Sequence, residues 1–305
     1  MTKKVLENFK RVDELFDKLA SKNKQELESA KIKPISDVFP LAQNGICAFI
    51  AGMGCGKSYN YLKLAAKQED LYVEPFFETI VICSTSGDFD KTVLTFKHAI
   101  QKSNLIAVKD NDLMNFIEEH TKKTMLYNTL MKFIKSNFKR PSEEMQQIIQ
   151  ENRLQKKEKL IEYIGKKFTE IGWKTYPSRL LLIFDDFSSH PLLKSRDEPL
   201  SRMLKKLRHF NINVIICVQT VKSIPKDIKR NLSDLIVFPG ISEDDFKYLI
   251  RESSASCFNY QVLWKEYSKI KDRQTMFAMH IAARRVIVTP PKNFIVRYQR
   301  SPNQP

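Results

Sequence analysis

Eight residues, Ala51-Gly52-Met53-Gly54-Cys55-Gly56-Lys57-Ser58, place three glycines ahead of a lysine and a hydroxyl at the spacing of a phosphate-binding loop. Small residues let successive backbone N–H groups turn inward around phosphate oxygens. A helix opening at Lys57 adds the positive end of its dipole. Lys57 is then placed to reach the β- and γ-phosphates, and Ser58 to ligate Mg2+. This is the Walker A pattern, with Ala51 in the first glycine position. Gly52, Met53, Gly54, Cys55, Gly56, Lys57, Ser58 and Tyr59 form the expected nucleotide-binding set. Four of the chain's 8 glycines, Gly45, Gly52, Gly54 and Gly56, fall in this short stretch, as expected where backbone angles are unusual. The bland alternative is a glycine turn that happens to precede Lys-Ser. Cys55 reads as a small residue rather than a reactive thiol.

Leu180-Leu181-Leu182-Ile183-Phe184-Asp185-Asp186 is an apolar run ending in two acids, a Walker B pattern. Asp185 would hold Mg2+ through water, and Asp186 would polarise the attacking water. Alone, the pair could equally be ordinary turn aspartates at a strand end. Asn213 to Val218 is a second apolar run, ending in Gln219. An amide there could bond the γ-phosphate or the water and report hydrolysis; it could also merely cap the strand. Arg208 and Arg230 are candidates for a guanidinium that stabilises charge on the transferring phosphoryl group from a neighbouring subunit. Either could instead contact DNA or form a surface salt bridge. The expected catalytic set is therefore Lys57, Asp186, Gln219, Arg208 and Arg230, with Ser58 and Asp185 as metal ligands.

These residues need elements to hold them. Ile46–Ala51, Glu78–Ser84, Asn104–Val108, Arg179–Asp185, Asn213–Val218, Leu235–Phe238 and Arg284–Thr289 read as strands. Lys57–Lys67, Asp112–Glu119, Leu200–Phe210 and 244–272 read as mainly helical. Tyr61, Leu62, Leu64 and Ala65 supply the packing side of the first of these. Residues 1–33 read as an N-terminal helix ended by Lys33-Pro34. Buried strands alternating with helices predict an α/β fold with a mainly parallel sheet flanked by helices. Ligands bind beyond the carboxyl ends of such strands, where every motif above falls. The expected organisation is an N-terminal extension over 1–39, an ATPase domain over 40–300 and a tail over 301–305. A helical, basic insertion with a break at Pro141 occupies about 121–172.

Charge narrows the partners. The 305 residues carry 51 Lys and Arg against 35 Asp and Glu, a net of +16. Thr121–Arg179 alone holds 14 Lys and Arg against 6 Asp and Glu. Half the net charge thus lies in this one segment, which would attract a polyanion such as nucleic acid. A solvated helical face or an anionic membrane surface would carry similar charge. No run is apolar enough for a transmembrane helix, and the N-terminus lacks a secretory apolar core. The 5 cysteines form no Cys-x-x-Cys pair, and the 5 histidines have no metal-ligand spacing. No Asn-Lys-x-Asp motif reads guanine, and no LSGGQ-like signature of an ABC ATPase is present.

Three stretches together, AGMGCGKS, LLLIFDDF and LRHFNINVIICVQTVKSIPKDIKRN, resemble the poxvirus-type genome-packaging ATPases of the FtsK–HerA superfamily. The resemblance covers about residues 40–240. It leaves out the N-terminal segment and the basic insertion, and it departs from the pattern at Ala51. It implies a RecA-like P-loop NTPase that binds ATP and Mg2+ and drives double-stranded DNA into a preformed capsid. It also implies a homo-oligomeric ring, a pentamer or hexamer, with ATP between subunits and DNA in the channel. Capsid vertex proteins are expected as further partners, and no membrane is required. The expected location is the cytoplasm or viral factory of an infected cell, or the virion. Another DNA pump or helicase of the same superfamily is the nearest alternative. A P-loop small-molecule kinase and a non-enzymatic nucleic-acid-binding protein are more distant ones.

Overall fold

The computed structural model describes residues 44–71, 77–84, 93–94, 100, 104–136, 138–170, 179–186, 204, 206–273, 275–281 and 284–289. The expected N-terminal helix, the tail and residues 200–203 and 205 of the expected Leu200–Phe210 helix lie outside the described residues. Eight strands form one sheet in the order β3-β2-β4-β5-β1-β6-β7-β8. They are β1 (Ile46–Ile50), β2 (Thr79–Cys83), β3 (Asn104–Val108), β4 (Leu180–Phe184), β5 (Ile212–Val218), β6 (Leu232–Val237), β7 (Met276–His280) and β8 (Arg285–Thr289). The six from β3 to β6 pair in parallel, and β7 and β8 add an antiparallel edge.

Every residue of β1, β4 and β5 is buried. Strands covered on both faces need no polar alternation, which is why they read as continuous apolar runs. The larger core joins Phe49, Ile80, Leu181, Ile183 and Ile215 of the sheet to Tyr61, Leu62 and Leu64 of α1 (Lys57–Leu71). Four cysteines are buried, Cys47, Cys55 and Cys217 within this core, and Cys257 is exposed. Burial pushes the Cys47 and Cys217 thiols well above the ordinary range.

Three elements differ from expectation. The helix expected over Asp112–Glu119 continues into the insertion as one helix, α2, over Asp110–Lys135. No glycine or proline interrupts it, and Leu113, Ile117, Tyr127, Leu130 and Ile134 keep one buried side. The unassigned stretch before Arg285 contains a further strand, β7, which pairs with β6 from Asp234↔His280 to Val237↔Phe277. β6 also starts earlier than expected, at Leu232. Its polar residues are accommodated: Ser233 Oγ donates to the Ile46 carbonyl at 3.0 Å, and buried Asp234 pairs with His280.

The chain divides into two compact units. One comprises Pro34–Phe116 and Arg179–Pro305, and the other Met1–Lys33 and Ile117–Ser178. The described part of the second is helical, with α3 (Glu143–Glu151) and α4 (Lys157–Glu170) following α2. Tyr127, Leu130, Phe133 and Ile134 of α2 share a hydrophobic cluster with Met145 of α3 and Leu160, Ile164 and Phe168 of α4. The break at Pro141 is where α3 begins: Ser142 caps it, accepting from the Met145 N–H at 3.3 Å.

Candidate nucleotide site

The sheet brings three motif-bearing strands side by side. β5 lies between β1 and β4, so one extra strand separates the glycine loop from the paired acids. Register aligns their carboxyl ends: Ile50 pairs with Val218, and Phe184 with Ile216. Just beyond, the Ala51 N–H donates to the Val218 carbonyl at 3.1 Å, and the Asp185 N–H to the Cys83 carbonyl at 3.0 Å. Ala51, Asp185 and Gln219 therefore leave the sheet on one edge.

Gly54 and Gly56 take the loop through φ of +76° and +80°, a region glycine enters without strain. Gly52, Met53 and Gly54 are exposed, Met53 at 84%, so this stretch can offer backbone but not a side-chain pocket. Cys55 turns into the core, as its reading as a small residue required. Tyr59 is exposed on the first turn of α1. Lys57 Nζ curls into the loop and donates to the carbonyls of Ala51 at 3.0 Å and Gly52 at 3.1 Å. Its cation is thus held at the mouth of the glycine turn. A Cβ on Gly56 would meet Asn60 Nδ2 at 3.4 Å and force a side chain into left-handed backbone. Gly56→Ala is expected to cost about 1–2 kcal/mol of stability. Thermal unfolding together with ATP titration checks this, with both melting temperature and affinity falling.

The acids are divided between two sets of partners. Asp185 is half-buried, and its Oδ2 accepts from Ser58 Oγ at 3.2 Å and from Tyr61 OH at 2.9 Å. Asp186 is exposed and in the left-handed region at φ +54°, where its carboxylate Oδ1 accepts from Gln219 Nε2 at 3.0 Å. Such a backbone is tolerated by aspartate but costs of order 1 kcal/mol, which marks the turn as a place to look for function. Burial, and then the Asp185 charge, push the Tyr61 phenol far above its usual range, so it donates and does not ionise.

Of the sequence-derived candidates, Lys57, Ser58, Asp185, Asp186 and Gln219 meet at this edge. Arg230 ends the short helix α6 (Lys226–Lys229; α5 is Leu207–Phe210) and is exposed. Arg208 is on α5, and its side chain lies outside the described residues. Sequence reading assigned Tyr61 to packing alone, because a tyrosine among Leu62, Leu64 and Ala65 carries no separate signal of its hydroxyl's partner. Among the described residues, no group of three His, Cys, Asp or Glu side chains could hold a metal by itself. A hydroxyl and one carboxylate converging beside a phosphate loop fit Mg2+, which takes few protein ligands and completes its shell with phosphates and water.

A parallel sheet with one strand between the phosphate-loop strand and the acidic strand, and a lysine, hydroxyl and paired acids at its carboxyl edge, defines a RecA-like P-loop NTPase. The family model described as Poxvirus A32 protein matches residues 89–276, and the chain belongs to that family. The match includes Asp185, Asp186 and Gln219, while the glycine loop lies before its start. Among solved structures, the chain is similar to B204, the DNA-packaging ATPase from Sulfolobus Turreted Icosahedral Virus, at 11% identity and a TM-score of 0.48. That likeness covers 81% of this chain and 98% of the viral one. It is also similar to ATPases 2 and 3 of EssC from Geobacillus thermodenitrificans, at 11% identity and a TM-score of 0.46, covering 83% of this chain and 39% of that one. A search of curated proteins found no match.

Proposed function

We propose that this chain is an ATPase that drives double-stranded DNA into a preformed viral capsid. Membership of the Poxvirus A32 protein family supports this reading, and one observation carries its chemistry. Ser58 and Asp185 converge at one point on the sheet edge, and Asp186 and Gln219 at the next. The loop N–H groups and Lys57 bind the β- and γ-phosphates. Ser58 and Asp185 would hold Mg2+, which would neutralise charge on the phosphates. Asp186 orients the attacking water and takes its proton. Gln219 senses the γ-phosphate while bonded to Asp186, so the group that prepares water and the group that reads phosphate are joined. β5 then carries the change of state into the turn at Val221–Ser223.

The acting form is a homo-oligomeric ring of five or six subunits. Arg208 or Arg230 completes the charge stabilisation of a neighbour's site. Capsid vertex proteins are the docking partners, and the work is done in the cytoplasm or viral factory of an infected cell.

Translocation on arbitrary sequence requires contacts to phosphates rather than bases. The helical unit supplies exposed Lys139, Arg140, Arg153, Lys156, Lys159 and Lys166. Lys122, Lys123 and Lys167 are instead engaged by Glu118, Glu119 and Glu170 along their own helices. Replacing the first six by glutamine is expected to weaken duplex binding. The slope of log affinity against log salt should flatten by about 0.9 for each phosphate contact removed. An unchanged slope assigns the unit to a protein partner.

The direct test of the function is steady-state ATP hydrolysis at low salt, with and without long duplex DNA, over a range of protein concentrations. A ring motor gives stimulation by DNA and activity per subunit that rises with concentration. Hydrolysis indifferent to both overturns the translocase reading.

A further inference from the structure

Asp185 is gripped by two hydroxyls on the same oxygen, and only one of them belongs to the phosphate-loop motif. Ser58 and Tyr61 stand three residues apart on α1, so they share a helix face. Both approach Asp185 Oδ2, Ser58 at 3.2 Å and Tyr61 at 2.9 Å. The shorter bond comes from the residue with no exposed surface, Tyr61 at 0%. The last torsion of an aspartate side chain is broad and is not fixed by its own rotamer preference. At the end of β4, the orientation of this carboxylate therefore depends on its donors. Ser58 is itself a candidate metal ligand, so its hold on Asp185 changes when a metal–nucleotide complex binds. Tyr61 has no exposed surface and is not itself a candidate metal ligand. A hydroxyl donor held in place by the core fixes the direction of the carboxylate it bonds.

We propose that Tyr61 is a positioning residue for Mg2+: it sets the Asp185 carboxylate in advance, so that the metal–nucleotide complex meets an oriented anion. The proposal rests on the nucleotide site described above. It separates the tyrosine hydroxyl from its ring, which serves the core beside Phe49 and Leu62.

Tyr61→Phe in the full chain keeps the ring and removes the donor. Nucleotide affinity is measured calorimetrically twice, with ATP in EDTA and with ATP in Mg2+. The expected result is an unchanged affinity in EDTA and a Mg2+-dependent gain reduced roughly tenfold, the size expected of one hydrogen bond to a charged group. The Mg2+ concentration at half-maximal hydrolysis should rise by a similar factor, with kcat recovering at saturating Mg2+. A wild-type Mg2+ response overturns the proposal. So does an equal loss of affinity with and without Mg2+, which is the signature of a packing role. Failure of the underlying site looks different: ATP binding by the wild type would be absent, or insensitive to Lys57→Ala.

Discussion

Lys57→Ala is expected to lower steady-state ATP hydrolysis by roughly 10²–10³-fold, the cost of removing one preorganised charge from a transition state. The Lys57 ammonium is already gathered into the glycine loop by the Ala51 and Gly52 carbonyls, at 3.0 and 3.1 Å. Little reorganisation separates that position from phosphates held by the same loop. Without the cation, the loop keeps its N–H groups and the helix dipole, so binding weakens while the fold persists. The discriminating measurement pairs ATP affinity with thermal unfolding. Affinity and rate should both fall while the melting temperature stays near that of the parent. Lys57→Arg should not rescue the rate, because a planar fork cannot occupy the place of a compact ammonium between two carbonyls. Hydrolysis that survives Lys57→Ala would remove this loop from the catalytic site.

Asp186→Asn should separate binding from chemistry. Asparagine keeps an acceptor oxygen for the Gln219 amide, so the 3.0 Å contact between the strand ends can persist. It cannot accept a proton from water. ATP affinity should remain near that of the parent, while single-turnover hydrolysis falls by roughly 10²–10⁴-fold, the range of a lost general base. The left-handed backbone at φ +54° favours this substitution, since asparagine tolerates that region as well as aspartate does. Asp186→Ala would be a poorer probe, because it also removes the acceptor of the Gln219 contact and puts alanine in the left-handed region, where it gains no local bond. A rate unchanged by Asp186→Asn would pass the role of base to another group.

The strands that carry the site were legible because a doubly covered parallel sheet writes itself as apolar runs, as in Ile46–Ile50 and Leu180–Phe184. The chemistry at their ends was legible because a phosphate loop constrains residue types over a short span. What escaped depended on distant partners. Met276–His280 carries no period-two alternation, and becomes a strand by pairing with β6. Ser233 and Asp234 disguised the start of β6 as a loop, since their partners Ile46 and His280 come from other strands. The bond between Asp186 and Gln219 joins positions 33 residues apart, and that between Tyr61 and Asp185 joins positions 124 apart. Residue types alone announce neither.

The sheet order also bears on how the site is assembled as the chain is made. β1 lies between β5 and β6, and the Asn44 N–H bonds the Asn213 side chain across 169 residues. The phosphate loop is therefore made early on the ribosome and supported late. Until β5 and β6 emerge, β1 is an exposed apolar strand with neither neighbour in place, the condition in which chains associate wrongly. The helical unit, by contrast, gathers its cluster from residues near one another in the chain and can form first. A chain halted before residue 212 would hold the helical cluster but lack the strands that flank β1, so the nucleotide site is completed after the helical unit.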